Sequence, residues 1–296
     1  MDLSGSKVAV LGGAKRELEI IRSYLAADAD VVTYGVIPSD EYADLAADSL
    51  GEALKDADII IGPMPGVGTD NSLFAPHAPE PIRIDDDSLA AAKRGAVFFC
   101  GHGTEIMKAA GERHGVEFLD IGDDDFVQVQ HAIPTAEAAI ALAVRETEET
   151  VCGSRCLVLG YGRIGQILAS YLRGWGARVT VAARRPEMRA RAGSLGNDTI
   201  DTTPEQVGAA VASADLIFAT APALLLDREA LSKVSPDALV IDLASPPGGM
   251  DHTAAEELGV RFEWARAQAD SAWRHSGRAQ FDHMVMALRS REGGEA

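Results

Sequence analysis

The chain has 296 residues, 47% of them hydrophobic, and a formal net charge of −18. That length asks for one large or two medium domains, and the charge argues against nucleic acid or an anionic membrane as the main partner. No run of about 18 or more apolar residues occurs, so no membrane span is expected. Cys100, Cys152 and Cys156 make no paired C-x-x-C, which argues against a zinc site or disulfide framework and fits a reducing cytoplasm.

The opening MDLSGSKVAVLGG lacks a basic segment followed by a long apolar core and reads as a first β-strand, not a signal peptide. Strands are expected at KVAVLG, ADVVTYG, ADIIIGP, GAVFFCG and VEFLDIG, with helices over Glu17 to Ala26 and Thr104 to Gly115. After the acidic run Asp123-Asp124-Asp125 comes HAIPTAEAAIALAVRETEET. Pro134 and Thr135 predict a helix start there, with Thr135 as N-cap and Glu137 in the first turn. Ala136, Ala139, Ile140, Ala143 and Val144 recur at helical spacing. This helix is expected to bridge two domains.

The second half repeats the alternation, with strands at CLVLG, ARVTVAA, DLIFAT, ALVIDLA and VRFEW and helices near 164–174, 204–213 and 251–258. From Gly277 onward, Phe281, Met284, Val285 and Leu288 fall at i, i+3, i+4 and i+7, one amphipathic helix. The acidic runs Asp85-Asp86-Asp87 and Asp123-Asp124-Asp125 read as solvated loops, Trp175 as helix–sheet packing, and no metal site is expected.

LGYGRIG, residues 159–165, joins an apolar strand to a helix inside a βαβ unit. In that context Gly160, Gly162 and Gly165 have distinct tasks: the tight turn, close approach of backbone to a pyrophosphate, and close helix–strand packing. The helix N-terminus supplies unpaired N–H donors and a partial positive charge. Tyr161, Arg163 and Ile164 belong to the same turn. An NAD site puts Asp or Glu about 20 residues on, for the ribose hydroxyls. Here VTVAARRPE puts Ala183 there, followed by Arg184 and Arg185. No carboxylate repels a 2′-phosphate, and a guanidinium can hold one, so NADP(H) is expected over NAD(H). The loops holding Thr220, Ala221, Pro222 and Leu243, Ala244, Ser245 follow strands and are expected beside the nicotinamide.

In order and spacing, HAIPTAEAAI, LGYGRIG with VTVAARR, ATAPALLL and IDLASPPGGMD resemble the dipicolinate synthase A-subunit family, whose stretches look like NAIPTAEGAI, LGFGRTG with VxVxAR, NTIPAL and DLASxPGG. The match covers about residues 120–260; over 1–120 it is weaker, GGAKRE resembling GGDxRQ with Arg16 kept and Ala14 at the Asp. Among the departures from the pattern, His131 replaces Asn, Ala138 a Gly, and Ala219 an Asn. The segment from Ala265 to Gln280 replaces one like APGLPGKVAPKTAG and is expected to be a loop, where Arg274 and His275 are candidate substrate contacts.

The resemblance implies an α/β fold of two Rossmann-like, doubly wound parallel-sheet domains with a cofactor cleft between them. The domains are expected at 1–133, completed by a C-terminal helix over 277–291, and at 134–265. The implied activity is nicotinamide-dependent oxidation of a small carboxylated cyclic substrate, a dihydropyridine dicarboxylate, to dipicolinate. The implied partners are further copies of the chain and a flavoprotein-like B subunit. His131 is the candidate proton acceptor. Arg16, His102, Thr135 and Glu137 are candidate substrate contacts, although a capping or turn role is the favoured reading of His102, and helix capping explains Thr135 and Glu137 without function. Two other readings share the plan: a 2-hydroxy-acid or imine-acid dehydrogenase, and a non-catalytic nucleotide-binding subunit.

Overall fold

The computed structural model describes residues 2–68, 70–265 and 271–293. The chain forms two compact units, one of residues up to Gln130 together with those from Ala272 onward, the other His131–Ser271.

In the first unit the elements run β1 (Lys7–Leu11), α1 (Lys15–Leu25), β2 (Asp30–Tyr34), α2 (Leu50–Leu54), β3 (Ile59–Ile61), α3 (Asp86–Leu89), β4 (Val97–Cys100), α4 (Glu105–His114) and β5 (Glu117–Asp120). These five strands pair in parallel, in the order β2-β1-β3-β4-β5. Strands buried on both faces read as unbroken apolar runs, and III and VFFC are fully buried. Thr104 caps α4 by accepting from the Met107 N–H, and Gly115 ends it in the left-handed conformation.

Next come α5 (Asp125–Glu146), β6 (Arg155–Leu159), α6 (Arg163–Gly174), β7 (Arg178–Ala182), α7 (Pro186–Ser194), β8 (Asp198–Ile200), α8 (Pro204–Val211), β9 (Leu216–Ala219), α9 (Arg228–Leu231), β10 (Leu239–Asp242), α10 (His252–Leu258), β11 (Phe262–Trp264) and α11 (Trp273–Gly293). The second sheet is again parallel, ordered β11-β10-β9-β6-β7-β8. Strand order reverses between β6 and β9, the crevice where doubly wound sheets bind ligands. Both sheets carry apolar clusters on their two faces, so the chain is two Rossmann-like α/β layers. The short β8, three residues DTI, has no expected counterpart; so brief a strand carries no readable period.

The structure corrects four sequence expectations. Thr135 is no N-cap, because α5 starts ten residues earlier, at Asp125, and Pro134 lies inside it. The cap is Asp124, whose carboxylate accepts from the Val127 N–H at 3.1 Å. Thr135 instead turns its hydroxyl back to the His131 carbonyl at 2.8 Å. Proline removes the N–H that would serve the Gln130 carbonyl. His275 Nε2 lies 3.2 Å from that oxygen and donates in its place. His275 and Arg274 therefore sit in the opening turns of α11, not in a loop; of the divergent segment, 266–270 lie outside the described residues. Trp175 is 55% exposed and ends α6 as its C-cap, so it is not buried between helix and sheet. Finally, the acidic runs are largely exposed as expected but are helix starts, not loops: Asp85 caps α3, and Asp86 receives a two-pronged contact from Arg113 at 2.8 and 2.7 Å.

Within the first unit α11 packs along α1. Phe281 meets the Tyr24 ring edge-on at 4.9 Å, and Met284 is fully buried.

Candidate functional site

β6 ends at Leu159 and the chain turns at Gly160, whose φ of +104° suits glycine. The three glycines then separate by what a Cβ would meet. At Gly160 it would lie 2.7 Å from Thr220 Oγ1, and at Gly165 it would overlap the Gly160 carbonyl oxygen. At Gly162 it would meet nothing within 4 Å. The outer two thus allow close packing of backbone, and the middle one borders open space at the N-terminus of α6. This is the cradle a pyrophosphate needs, and its residues fit a dinucleotide.

Thr220 ties the crevice together, its hydroxyl donating to the Leu159 carbonyl at 3.1 Å. The ends of β6 and β9, about 60 residues apart in sequence, thereby become one wall. A cavity of about 530 Å³ opens here, lined by Gly160, Tyr161, Gly162, Ala182, Ala183, Arg184, Arg185, Met188, Thr202, Ala221, Pro222, Ala223 and Leu225. Eight of the expected cofactor residues are in that lining. Tyr161 is almost fully buried, and burial pushes its phenol above the ordinary range, so it stays a neutral hydrogen-bonding group.

At the far end Ala183 is buried while Arg184 and Arg185 are exposed. Arg185 is loosely paired with Glu187, 3.5 Å away. No carboxylate occupies the end of β7. Arg163, Ile164, Gly165 and Thr220 do not line the cavity.

Leu243, Ala244 and Ser245 follow β10, and they too lie outside the cavity lining. Sequence reasoning overlooked the group that shapes them. Asp242 is fully buried, and its carboxylate accepts from the N–H groups of Ala244 and Gly249, both at 2.9 Å. His252 Nε2 is 3.1 Å from the same carboxylate, and its ring stacks on Trp264 at 4.1 Å. An acid at the end of an apolar strand was the available signal. Met188 and Thr202 also escaped, because each is brought to the cavity by β8 and α7 rather than by the fingerprint.

The remaining candidates do not join this cavity. His131 and Thr135 are buried in α5, and Glu137 is exposed on it. Arg16 lies in the first turn of α1, nearly buried, after the Gly12–Gly13 bend at the carboxyl end of β1. Glu17 folds over that bend and accepts from the Ala14 N–H at 2.6 Å. His102 stands in the left-handed region, φ +51°, after β4, and its N–H donates to Asp120 at 3.0 Å. Arg16 and His102 both sit at the carboxyl edge of the first sheet. Among the described residues no cluster of His, Cys, Asp and Glu has a metal-binding arrangement, and no helix is long and apolar enough to cross a membrane.

Residues 7–121 match the family of the dipicolinate synthase A-subunit N-terminal domain, and residues 139–258 match the alanine dehydrogenase/PNT C-terminal domain. Over 261 residues the chain is 30% identical to the dipicolinate synthase A subunit of Bacillus subtilis (strain 168), across 88% of this chain and 87% of that protein. Its structure is similar to dipicolinate synthase, A chain, from Bacillus subtilis, with TM-score 0.85 and 28% identity over 99% of this chain and 98% of that one. The dipicolinate synthase A subunit from Bacillus halodurans gives TM-score 0.84 and 26% identity, over 97% and 99%. An L-alanine dehydrogenase, at 13% identity and TM-score 0.61, over 96% and 90%, shares the fold. A dehydrogenase-family domain of this kind implies a nicotinamide cofactor.

Proposed function

The chain belongs to the dipicolinate synthase A-subunit family, and from that premise we propose that it is an NADP(H)-dependent oxidoreductase. Its substrate is a cyclic dihydropyridine dicarboxylate, which it oxidises to dipicolinate. The observation that carries the cofactor reading is the cavity running from the open face of Gly162 to Arg184 and Arg185, with no acid at the end of β7.

A nicotinamide held in this crevice would supply the hydride acceptor. What the protein adds is alignment, an anion anchor and a place for the released proton. The α6 N-terminus and Gly162 hold the pyrophosphate, Arg184 and Arg185 the 2′-phosphate, and Leu243, Ala244 and Ser245 the nicotinamide end. Arg16 anchors a substrate carboxylate by a forked contact, with His102, Thr135 and Glu137 as further contacts. His131 takes the proton, since an imidazole can do so near neutral pH. The protein works in the cytoplasm, as a homo-oligomer and with a flavoprotein-like second subunit.

The test is titration of the purified protein with NADPH and NADH, then again with dipicolinate present. The expected result is tighter binding of NADPH, weakened about tenfold by Arg184→Ala or Arg185→Ala, and strengthened by dipicolinate. Binding of NADPH that ignores dipicolinate sinks the substrate assignment. Equal affinity for the two nucleotides sinks the NADP(H) assignment, and no binding of either sinks the dinucleotide site.

A further inference from the structure

The mouth of the coenzyme cavity is framed by two turns, Ala183–Arg184 after β7 and Asp201–Thr202 after β8. One side chain joins them. Arg189, in α7, places Nη1 2.6 Å from the Ala183 carbonyl oxygen and 2.9 Å from that of Arg184. The same nitrogen is 3.0 Å from Asp201 Oδ2. The other oxygen of Asp201 accepts from the N–H of Thr202 at 2.6 Å, and Thr202 lines the cavity.

The end of β7 lacks the acid of an NAD site, yet an acid stands one strand over, at the end of β8. Left alone, the Asp201 carboxylate would repel a 2′-phosphate and offer acceptors to ribose hydroxyls, as the acid of an NAD site does. In the structure its charge is taken by Arg189, whose side chain and that of Asp201 are only 24% and 35% exposed. Partial burial limits screening, so the pairing matters more than one on open surface.

We propose that Arg189 sets coenzyme selectivity by cancelling the charge of Asp201 at the mouth of the cavity. The proposal rests on the NADP(H) reading above and adds a residue that does not itself hold the phosphate. It makes Arg189 a positioning residue: the guanidinium holds the carbonyls of the β7 turn and removes a negative charge from the space Arg184 faces.

The measurement is the ratio of NADPH to NADH affinity in wild type, Arg189→Gln, Asp201→Asn and the double variant, each checked for an unchanged melting profile. Arg189→Gln is expected to cut that ratio about tenfold, by weakening NADPH while leaving NADH unchanged or tighter. The double variant should recover most of the ratio, since the charge to be cancelled is gone. Asp201→Asn alone should hold or raise it. Were Arg189→Gln to weaken both nucleotides equally, or the double variant to recover nothing, Arg189 would be a brace for the turn and the proposal would fall. Should Arg189→Gln not fold, a fall in the ratio for Asp201→Asn overturns the proposal by itself. A wild type without preference for NADPH instead sinks the coenzyme assignment, whereas a wild-type preference untouched by Arg189→Gln sinks only this one.

Discussion

A single methyl group separates the two kinds of glycine in the 160–165 turn. At Gly165 a Cβ would overlap the Gly160 carbonyl and sit 3.1 Å from Thr220 Oγ1, so Gly165→Ala must push strand and helix apart. The expected cost is about 2–3 kcal/mol of stability, in the range for overpacked sites. Gly162 has ordinary negative φ, −81°, and free space around it. Gly162→Ala is expected to cost no more than about 1 kcal/mol, the scale of a helix cap, yet to weaken NADPH binding about tenfold or more. Urea denaturation and nucleotide titration of the two variants check this. The reverse pattern, a stable Gly165→Ala and an unfolded Gly162→Ala, would refute the division of roles. These roles were readable in the sequence because the fingerprint is local: strand, turn and helix are contiguous. Asp242 stood out in the sequence only as an acid ending an apolar strand; that its carboxylate accepts from Ala244 and Gly249 emerges once the chain has folded back beside β9.

Among the elements, α1 and α11 are joined by one buried carboxylate. Glu19, 1% exposed, accepts a forked pair from Arg22 at 3.0 and 2.7 Å and a third contact from Arg278 at 3.1 Å. Burial works to raise its pKa and is the largest single influence, but the contacts from Arg22 and Arg278 together outweigh it, and the net shift is downward. A depressed carboxylate stabilises the fold above its ordinary value of 4.5 and loses that contribution as pH falls through the lowered value. Glu19→Gln is therefore expected to cost about 1–2 kcal/mol at neutral pH, discounted because both arginines are largely exposed. The difference from wild type should shrink as pH drops below that value. Denaturation series between about pH 3 and pH 7 test it, and a difference that grows in acid would contradict the sign. A second pair of helices, α5 and α11, shows where element boundaries escape sequence reading. Pro134 reads as a helix start from local rules alone, and α5 overrides it because His275 serves the orphaned Gln130 carbonyl from 145 residues away.

At the scale of the whole chain, the first unit takes part of its core from the far end of the sequence. Ile20, Ile21, Tyr24 and Met284 have no exposed surface, and Phe281 covers Tyr24. Removing the chain from Trp273 onward uncovers side chains whose burial is each of order 1.5–3 kcal/mol. The expected outcome is a first unit that binds a hydrophobic dye and is cut rapidly by protease. NADPH binding should persist, because every residue lining the coenzyme cavity falls between Gly160 and Leu225. Loss of NADPH binding in that truncated protein would show that the second unit does not hold the nucleotide alone.

The alternation of apolar runs and amphipathic stretches determined, by itself, two parallel α/β layers, because strand and helix periods are written in neighbouring residues. The glycine spacing and the Ala183-Arg184-Arg185 end of β7 likewise stand in the sequence without help from the fold. Only the tertiary structure decided what depends on distant partners. It set the true start of α5, and it joined Thr220 to the β6 turn across about 60 residues. It also brought Thr202 to the cavity and the Asp201 carboxylate within reach of Arg189. A charge or a carbonyl has no address in a periodic pattern; its role follows from what the folded chain places within a few ångströms of it.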